Sequence, residues 1–555
     1  MACLRRTLQA ARALPAIKDL TSYDASAAGL IACVGILGWW AAHGVSWSFD
    51  VWDSARDVGT AENILAGRYG GDSLYLDERQ WYSPLVPFVI ALLARTLSID
   101  PMSVVVHGGI FLNLLAPFAL YVFARSAIGR PEALVVLVAY LTIIPGRLPS
   151  VAAGSYSPWL IPYVFVPGCF LVALVALNNA FRQQRTFPYV LAGLAVTVVG
   201  FGHNAPLVVL LGACLCLVIM SAIAPRSSWS GLPRGAARGL TVTLAVAALA
   251  LSVHFLPLLL AYSGRVANPE PAEWMPPLMS YREVGGYLSR AWGISTVVAG
   301  YGVIFALSKK FSDRRATAVL LITVGTVSAL SFAYGYVAQF LLVRGLRLPV
   351  VAPGFHFAIY AKLCEALFFG IGFCAAVRMV STRLRYTRGT VLGSGLLVIW
   401  SLAHVPSVLG RERELRASAL RASRDVDLAE VVRWIRRNTR VDDVFLTSFD
   451  GRWSQEYPAV ATAGRKMVAA NAFFSNPFVS YEAREHDRQA MVRALKSSDY
   501  VTYHRLCRKY SVSYVLMWRQ STTESWPVEP TRSGAMSSVF ENSHYVVSKS
   551  PCEGW

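Results

Sequence analysis

Seven acidic residues lie between positions 50 and 78, directly after the first long apolar segment of the chain. The whole sequence has only 33 acidic residues, so about a fifth of them are concentrated here. If residues 53–65 are helical, the carboxylates of Asp53 and Asp57 lie on one face of the helix. Carboxylates grouped in this way can take a proton from a reacting group or bind a divalent cation through oxygen ligands. The alternative is a solvated acidic loop. The seven residues are Asp50, Asp53, Asp57, Glu62, Asp72, Asp77 and Glu78.

The composition of the remaining sequence indicates a polytopic α-helical membrane protein. Hydrophobic residues form 55% of the chain and charged residues only 15%, and the mean hydropathy is +0.44. A soluble domain has about 25% charged residues. The net charge of +19 does not indicate a nucleic-acid partner, because much of the excess lies in short loops between apolar segments, where it sets membrane topology.

The apolar segments predict about eleven transmembrane helices, with the N-terminus in the cytoplasm and the C-terminal region outside. Alternate short loops are rich in arginine and lysine, as expected for cytoplasmic loops. Residues 84–97 are apolar over too short a stretch for a span, so we expect a helix lying at the membrane surface. The predicted spans are 26–46, 103–124, 131–147, 158–181, 187–201, 205–224, 239–261, 291–308, 316–335, 357–377 and 389–409.

The chain therefore divides into a cytoplasmic tail, a membrane module and an outer domain. Residues 1–25 form the tail, residues 26–410 the membrane module with its first outer loop at 47–102, and residues 411–555 the outer domain. Helical and strand patterns alternate in the outer domain, which predicts a small α/β fold. The predicted elements are helices at Val426–Asn438, Glu482–Lys496 and Tyr500–Tyr510 and strands at 443–447 and Val512–Trp518.

Two cysteines lie in the outer domain, Cys507 and Cys552. An oxidising exterior permits a disulfide between them. Two free thiols are the alternative.

Several short motifs carry a resemblance to a known superfamily. The segment DSARDVGTAENILAGRYGGD (Asp53–Asp72) is followed by an aromatic-Ser-Pro-Leu sequence that ends at Leu85. In the outer domain, WIRRNTRVDDVFLTS (Trp434–Ser448) precedes AGRKMVAANAFFSNP (Ala463–Pro477). Together with the architecture, these motifs resemble the GT-C integral-membrane glycosyltransferases, which include protein O-mannosyltransferases, aminoarabinose transferases, arabinofuranosyltransferases and oligosaccharyltransferases. No WWDYG-type motif occurs, which argues against an oligosaccharyltransferase.

The resemblance implies transfer of a sugar from a polyprenyl-phosphate carrier to an acceptor hydroxyl at the outer membrane face. A carboxylate then acts as the general base. The Asp-Glu pair of mannosyl- and aminoarabinosyl-transferases is Asp53-Ser54 here, which leaves the base open between Asp53, our first choice, and Asp50. Asp57 and Glu62 are candidates for orienting the acceptor. A divalent cation, Mg²⁺ or Mn²⁺, could be held by Asp50 and Asp53.

The leaving phosphate needs positive charge near the membrane boundary. Charges within apolar segments are costly and commonly functional, and arginines on the outer face call for an anionic partner. Lys362 can also pair with Glu365 on one helical face, in which case both are structural. The candidate phosphate-binding residues are Lys362, Arg344, Arg347, His356 and His203.

The outer loop 265–290 contains Glu273 and Trp274, which are candidates for contacting donor or acceptor. An ordinary amphipathic loop is the alternative. The resemblance favours the bacterial inner membrane, with a glycan, lipid or protein as the acceptor. A transporter or flippase of lipid-linked sugars is a second hypothesis, and a polymerase or ligase of lipid-linked oligosaccharide is a variant of the first.

Overall fold

A computed structural model of the chain describes residues 21–143, 155–223, 232–233, 235–273, 280, 282–283, 285, 293–308, 314–383, 389–448, 456–519, 536–550 and 552. Nineteen helices lie in these ranges. They are α1 (Ser22–Ala42), α2 (Val51–Leu65), α3 (Leu85–Leu97), α4 (Pro101–Leu112), α5 (Leu115–Ala127), α6 (Arg130–Val138), α7 (Pro162–Gln183), α8 (Thr186–Gly202), α9 (Asn204–Ile223), α10 (Ala236–Tyr262), α11 (Glu270–Glu273), α12 (Ile294–Leu307), α13 (Arg315–Leu342), α14 (Gly354–Arg383), α15 (Gly389–Ser423), α16 (Val426–Asn438), α17 (Glu456–Thr462), α18 (Tyr481–Lys496) and α19 (Tyr500–Tyr510).

The chain is an integral membrane protein. Within the described ranges, 8 helical stretches are long and apolar enough to cross a membrane, and three shorter apolar helices accompany them: α3, α8 and α12. The predicted surface helix at 84–97 is α3. Most predicted spans coincide with single helices, and the count of eleven stays a prediction.

Two predicted spans have a different internal structure. The span at 103–124 consists of α4 and α5, which are separated by a turn at Asn113. The Asn113 amide donates hydrogen bonds to the backbone oxygens of Ser157 and Trp159, both at 2.8 Å. These bonds attach the turn between α4 and α5 to the segment that leads into α7. The span at 131–147 begins as α6 and continues as a π-helical segment at Ala139–Ile143; its last residues lie outside the described ranges.

Small residues allow the membrane helices to approach closely. A Cβ on Gly302 of α12 would lie 1.9 Å from the backbone oxygen of Phe368, and one on Gly372 of α14 would lie 2.1 Å from that of Val298. Because lipid tails are as apolar as the side chains, such close backbone packing is a main source of helix association in a bilayer.

The outer domain contains a five-stranded mixed sheet. The strand order is β2-β1-β3-β5-β4, with β1 parallel to both β2 and β3 and the β3–β5 and β5–β4 pairs antiparallel. The predicted helices and the strands β1 and β3 are present, and β2, β4 and β5 were not predicted. The strands are β1 (Val444–Thr447), β2 (Lys466–Met467), β3 (Val512–Trp518), β4 (Ser538–Glu541) and β5 (Tyr545–Lys549).

The structure joins Cys507 to Cys552 in a disulfide, with the Cα atoms 6.2 Å apart. The bond ties the C-terminal segment to α19.

The outer domain is continuous with the membrane module. Helix α15 extends from Gly389 to Ser423 without interruption, so the predicted boundary at residue 410 lies inside it. One apolar core includes Val58 of α2, Ala461 of α17 and Phe445 of β1. A Cβ on Gly59 of α2 would lie 2.1 Å from the backbone oxygen of Ala461, so glycine permits this contact. The first outer loop is therefore a buried helix held between the two parts of the protein.

Candidate active site

The candidate site is built on the first two turns of α2. Asp50 is the N-cap, and its side chain accepts a hydrogen bond from the Asp53 backbone N–H at 3.1 Å, which satisfies an otherwise unpaired donor at the start of the helix. The Arg56 guanidinium lies 3.0 Å from Asp53 Oδ1 and 3.1 Å from Asp57 Oδ1. The Arg56 side chain is 8% exposed, that of Asp57 0% and that of Asp53 28%. Asp53 is thus the most accessible of the three paired groups.

Burial changes the protonation of the carboxyl groups that flank Asp53. It raises the pKa of Asp57 to about 6, against the opposing effect of the Arg56 charge. Burial and the neighbouring Asp53 charge raise the pKa of Asp50 well above its usual value. Burial thus disfavours the charged form of Asp50, and Arg56 pairs with Asp53 at the accessible side of the cluster.

Aromatic rings from both parts of the protein enclose Arg56. Its guanidinium carbon lies 3.6 Å from the centroid of the Tyr82 ring and 5.6 Å from that of Phe474. Tyr457 stacks on Phe474 and on Trp52, with centroids 5.3 and 5.6 Å apart. The Tyr457 hydroxyl is buried and has no hydrogen-bond partner among the described residues. Because Tyr457 and Phe474 belong to the outer domain, that domain completes the surroundings of the carboxylates.

Two of the predicted histidines meet beside this cluster. The rings of His203 and His356 are 4.6 Å apart and nearly perpendicular. His203 Nδ1 accepts a hydrogen bond from the Ala205 N–H at 3.1 Å, so the proton of the neutral ring lies on Nε2. The charges of Arg56 and Asp53 act on His203. The structure therefore brings together Asp50, Asp53, Asp57, His203 and His356.

The predicted arginines of the outer segment have protein partners. Arg347 forms a two-pronged ion pair with Glu273, at 2.8 and 3.0 Å. Arg344 donates to the Phe340 backbone oxygen at 3.0 Å and lies 3.5 Å from the centroid of that ring. Arg347 and Glu273, predicted for different ligands, contact each other. Trp274 lies outside the described residues.

Lys362 is buried within α14. Glu365 accepts hydrogen bonds from Ser295 Oγ at 2.7 Å and Thr296 Oγ1 at 2.9 Å. Glu365 is thus bonded to α12, and its predicted pair with Lys362 stays a prediction.

The acceptor-orienting role of Glu62 and Asp57 stays a prediction, and both side chains have partners within the protein. Glu62 lies nine residues beyond Asp53, roughly 13 Å along the helix axis, and its Oε1 pairs with Arg436 Nη2 at 3.1 Å. It belongs to the contact between α2 and the outer domain. Asp57 is completely buried, so it holds Arg56 in place and has no surface to offer an acceptor.

The cation-binding role of Asp50 and Asp53 stays a prediction. Among the residues that the structure describes, no group of three or more His, Cys, Asp or Glu side chains could hold a metal ion. One oxygen of Asp50 caps the helix and one oxygen of Asp53 pairs with Arg56. The Arg56 guanidinium supplies positive charge beside these carboxylates.

The sequence prediction missed Arg56, Tyr82, Tyr457 and Phe474. Arg56 had a recognisable signal, since it is a basic residue three positions after Asp53 and beside Asp57 in an otherwise acidic stretch. Tyr457 and Phe474 had none, because only the folded chain brings them to α2.

No protein-family model and no curated protein sequence matches the chain. Solved structures do match its fold. ArnT from Cupriavidus metallidurans in the apo state is 12% identical, with a TM-score of 0.51, over 94% of this chain and 97% of that one. The same protein bound to undecaprenyl phosphate gives a TM-score of 0.52 at 12% identity, with the same coverage.

The oligosaccharyltransferase of Archaeoglobus fulgidus in the apo form is 10% identical, with a TM-score of 0.53, over 89% of this chain and 69% of that one. These matched proteins are GT-C glycosyltransferases. The chain therefore has the GT-C membrane fold, with a small α/β domain at its C-terminal end, as the sequence motifs predicted.

Proposed function

We propose that the chain is a glycosyltransferase of the bacterial inner membrane. It moves a sugar from a polyprenyl-phosphate carrier to an acceptor hydroxyl at the outer face. The observation that carries the proposal is the accessible Asp53 carboxylate, paired with a buried arginine on the first outer helix of a GT-C fold. The matched ArnT structure contains undecaprenyl phosphate, and an archaeal oligosaccharyltransferase with 11% identity and a TM-score of 0.53 contains dolichol-phosphate.

Asp53 acts as the general base. As the acceptor oxygen attacks the anomeric carbon, its proton passes to the Asp53 carboxylate, and the bond from that carbon to the phosphate oxygen breaks. The departing phosphate takes the electron pair of the broken bond. Arg56 fixes the position of Asp53, and Asp50 caps the start of the helix.

His203 and His356 stand close to the reacting groups. Hydrogen-bond donors aimed at the leaving phosphate stabilise the charge that develops there. His203 presents its Nε2 proton, since its Nδ1 is engaged by the Ala205 N–H. Lys362 stays a predicted ligand of the same phosphate.

The test is sugar release from labelled polyprenyl-phosphate donors by the purified protein and its Asp53→Asn variant. We expect the variant to lose about 10²- to 10⁴-fold in turnover, the range of general-base catalysis, while it still binds donor. Asp50→Asn keeps the capping oxygen, so we expect it to keep most of its turnover.

Asp77→Asn is the matched control. Asp77 is an exposed acid of the same loop with a φ of 62°, a conformation that asparagine tolerates. We expect wild-type turnover from it. If Asp53→Asn turns over as fast as Asp77→Asn, Asp53 is not the base. If wild-type protein moves intact lipid-linked sugar across a vesicle membrane without releasing it, the flippase alternative holds.

A further inference from the structure

Arg411 is a largely buried arginine within α15. It follows the apolar part of the helix, which the sequence predicts to end at residue 409. Its side chain is 13% exposed. One nitrogen, Nη2, donates to the backbone oxygen of Tyr156 at 2.9 Å and to the Glu412 carboxylate.

The other nitrogens of this guanidinium are buried without a partner. Arg411 Nε and Nη1 have no hydrogen-bond acceptor among the described residues. Buried polar groups are nearly always hydrogen-bonded, and a charged donor without an acceptor is especially costly. Because arginine offers only donors, the missing partner is an acceptor, and a negatively charged acceptor suits it best.

Tyr163 adds a second unpaired donor close to the site. Its hydroxyl is buried and has no partner among the residues that the structure describes. The charges of Arg411, Asp50 and Asp53 all act on this phenol. The chain entering α7 is fixed beside the carboxylate loop, since the Phe49 and Trp159 rings pack with centroids 5.0 Å apart. Tyr163 thus places an unpaired hydroxyl on the segment that packs beside the carboxylate loop.

We propose that Arg411 and Tyr163 bind the phosphate of the lipid carrier. The inference rests on the proposed function and names the partner of the same site. A phosphate ester supplies acceptor oxygens and negative charge, and Arg411 is located where a lipid phosphate lies, at the boundary of the apolar helix. Arg344 and Arg347, predicted for this role, already have protein partners.

Among the residues that the structure describes, the acidic side chain that pairs with Arg411 is Glu412. It is 2% exposed and engages only Nη2. This ion pair fixes the orientation of the guanidinium and leaves Nε and Nη1 open.

The experiment measures equilibrium binding of labelled undecaprenyl phosphate to the full-length protein in nanodiscs. We expect Arg411→Gln to raise the Kd by about tenfold or more, because hydrogen bonds to charged groups are the stronger class. Tyr163→Phe removes only an unpaired hydroxyl and should preserve folding, so we expect its Kd to rise about threefold to tenfold. Arg413→Gln makes the same charge change at an exposed position on the same helix and should bind like wild type.

Further measurements distinguish a phosphate-binding role of Arg411 from a structural role. A merely structural Arg411 would lower the unfolding temperature without changing the ratio of affinities for undecaprenyl phosphate and undecaprenol. If Arg411→Gln and Tyr163→Phe bind the lipid phosphate as wild type does, the inference is overturned, while sugar transfer by the wild type leaves the proposed function standing. If inorganic phosphate competes as well as the lipid does, the site takes a free anion and the lipid assignment is overturned. If wild type neither binds the lipid phosphate nor transfers sugar, the proposed function itself fails.

Discussion

The two halves of α2 carry similar residues in different environments. In the first half, Asp53, Arg56 and Asp57 form a charge cluster with more acids than bases and with one accessible carboxylate. In the second half, the polar groups pair with the outer domain one by one. There, Glu62 pairs with Arg436 at 3.1 Å, and Asn63 accepts from Lys466 Nζ at 2.7 Å and donates to the Gly464 backbone oxygen at 3.0 Å.

This difference in pairing distinguishes the candidate site in the first half of α2 from the domain interface in the second half. Near Arg56, three buried oxygens have no partner among the described residues: Ser54 Oγ, Asp57 Oδ2 and Tyr457 Oη. Unpaired buried polar atoms are costly, and catalytic residues commonly occur where burial and charge are arranged unfavourably for stability. The carboxylate of Glu62 and the amide of Asn63 each have a partner, as expected for residues whose role is to hold the outer domain on α2.

Of the substitutions in the two halves of α2, replacement of Arg56 should have the largest effect on stability and activity. Arg56→Gln leaves Asp57 as a buried carboxylate without its positive partner, and breaking a buried pair in this way costs about 3–5 kcal/mol. We expect a large decrease in the unfolding free energy and a loss of sugar transfer by whatever protein folds. Denaturant titration in detergent, followed by tryptophan fluorescence, measures the first effect.

Arg68→Gln provides the control for that measurement. Arg68 lies just beyond α2, is 60% exposed and pairs with Asp442, and exposed pairs contribute about 0–1 kcal/mol. Equal losses in the Arg56 and Arg68 variants would mean that the buried cluster is no more important for stability than a surface ion pair.

The pH dependence of stability should be the next largest effect. The pKa of Asp57 is raised to about 6 from 3.8, so the folded protein binds more protons than the unfolded chain between about pH 4 and pH 6. The unfolding free energy therefore falls as the pH rises through this window, by about 3 kcal/mol for Asp57, and levels off above it.

Asp57→Asn should flatten this dependence, which thermal unfolding at pH 4.5, 6 and 7.5 measures. Because the pKa of Asp50 is raised as well, we expect the slope to decrease but not to disappear. An unchanged slope in Asp57→Asn would show that Asp57 does not titrate in this window.

The sequence predicted those features that arise from local patterns. The helices Val426–Asn438 and Tyr500–Tyr510 and the strand Val512–Trp518 have the predicted bounds, because their amphipathic periods and caps lie within the segments themselves. Asp50 and Asp53 were identified because acids are rare in this chain. The GT-C motifs correctly predicted the fold.

Contacts between distant segments could not be predicted from the same patterns. The two-residue strand β2 pairs with β1 and with the first loop, where the Met467 N–H donates to the Leu74 backbone oxygen at 2.7 Å. Arg347 was predicted to bind a lipid phosphate because it is an arginine on the predicted outer face. In the structure it pairs with Glu273, which is distant in sequence. Glu62 shares its helix and its acidity with Asp53, and only the packing of the outer domain separates their roles.

Glu62→Gln, in the second half of α2, should have the smallest effect of these substitutions. Its carboxylate is 19% exposed and pairs with an arginine of equal exposure, so we expect the unfolding free energy to fall by about 1 kcal/mol. Turnover per folded molecule should stay at the wild-type level, since Glu62 lies roughly 13 Å from Asp53 along the helix. Single-turnover sugar release and thermal unfolding of the same preparation measure both quantities. Glutamine preserves the shape of the interface and removes only the charge. A loss of turnover without a loss of stability would therefore mean that the Glu62 charge takes part in sugar transfer.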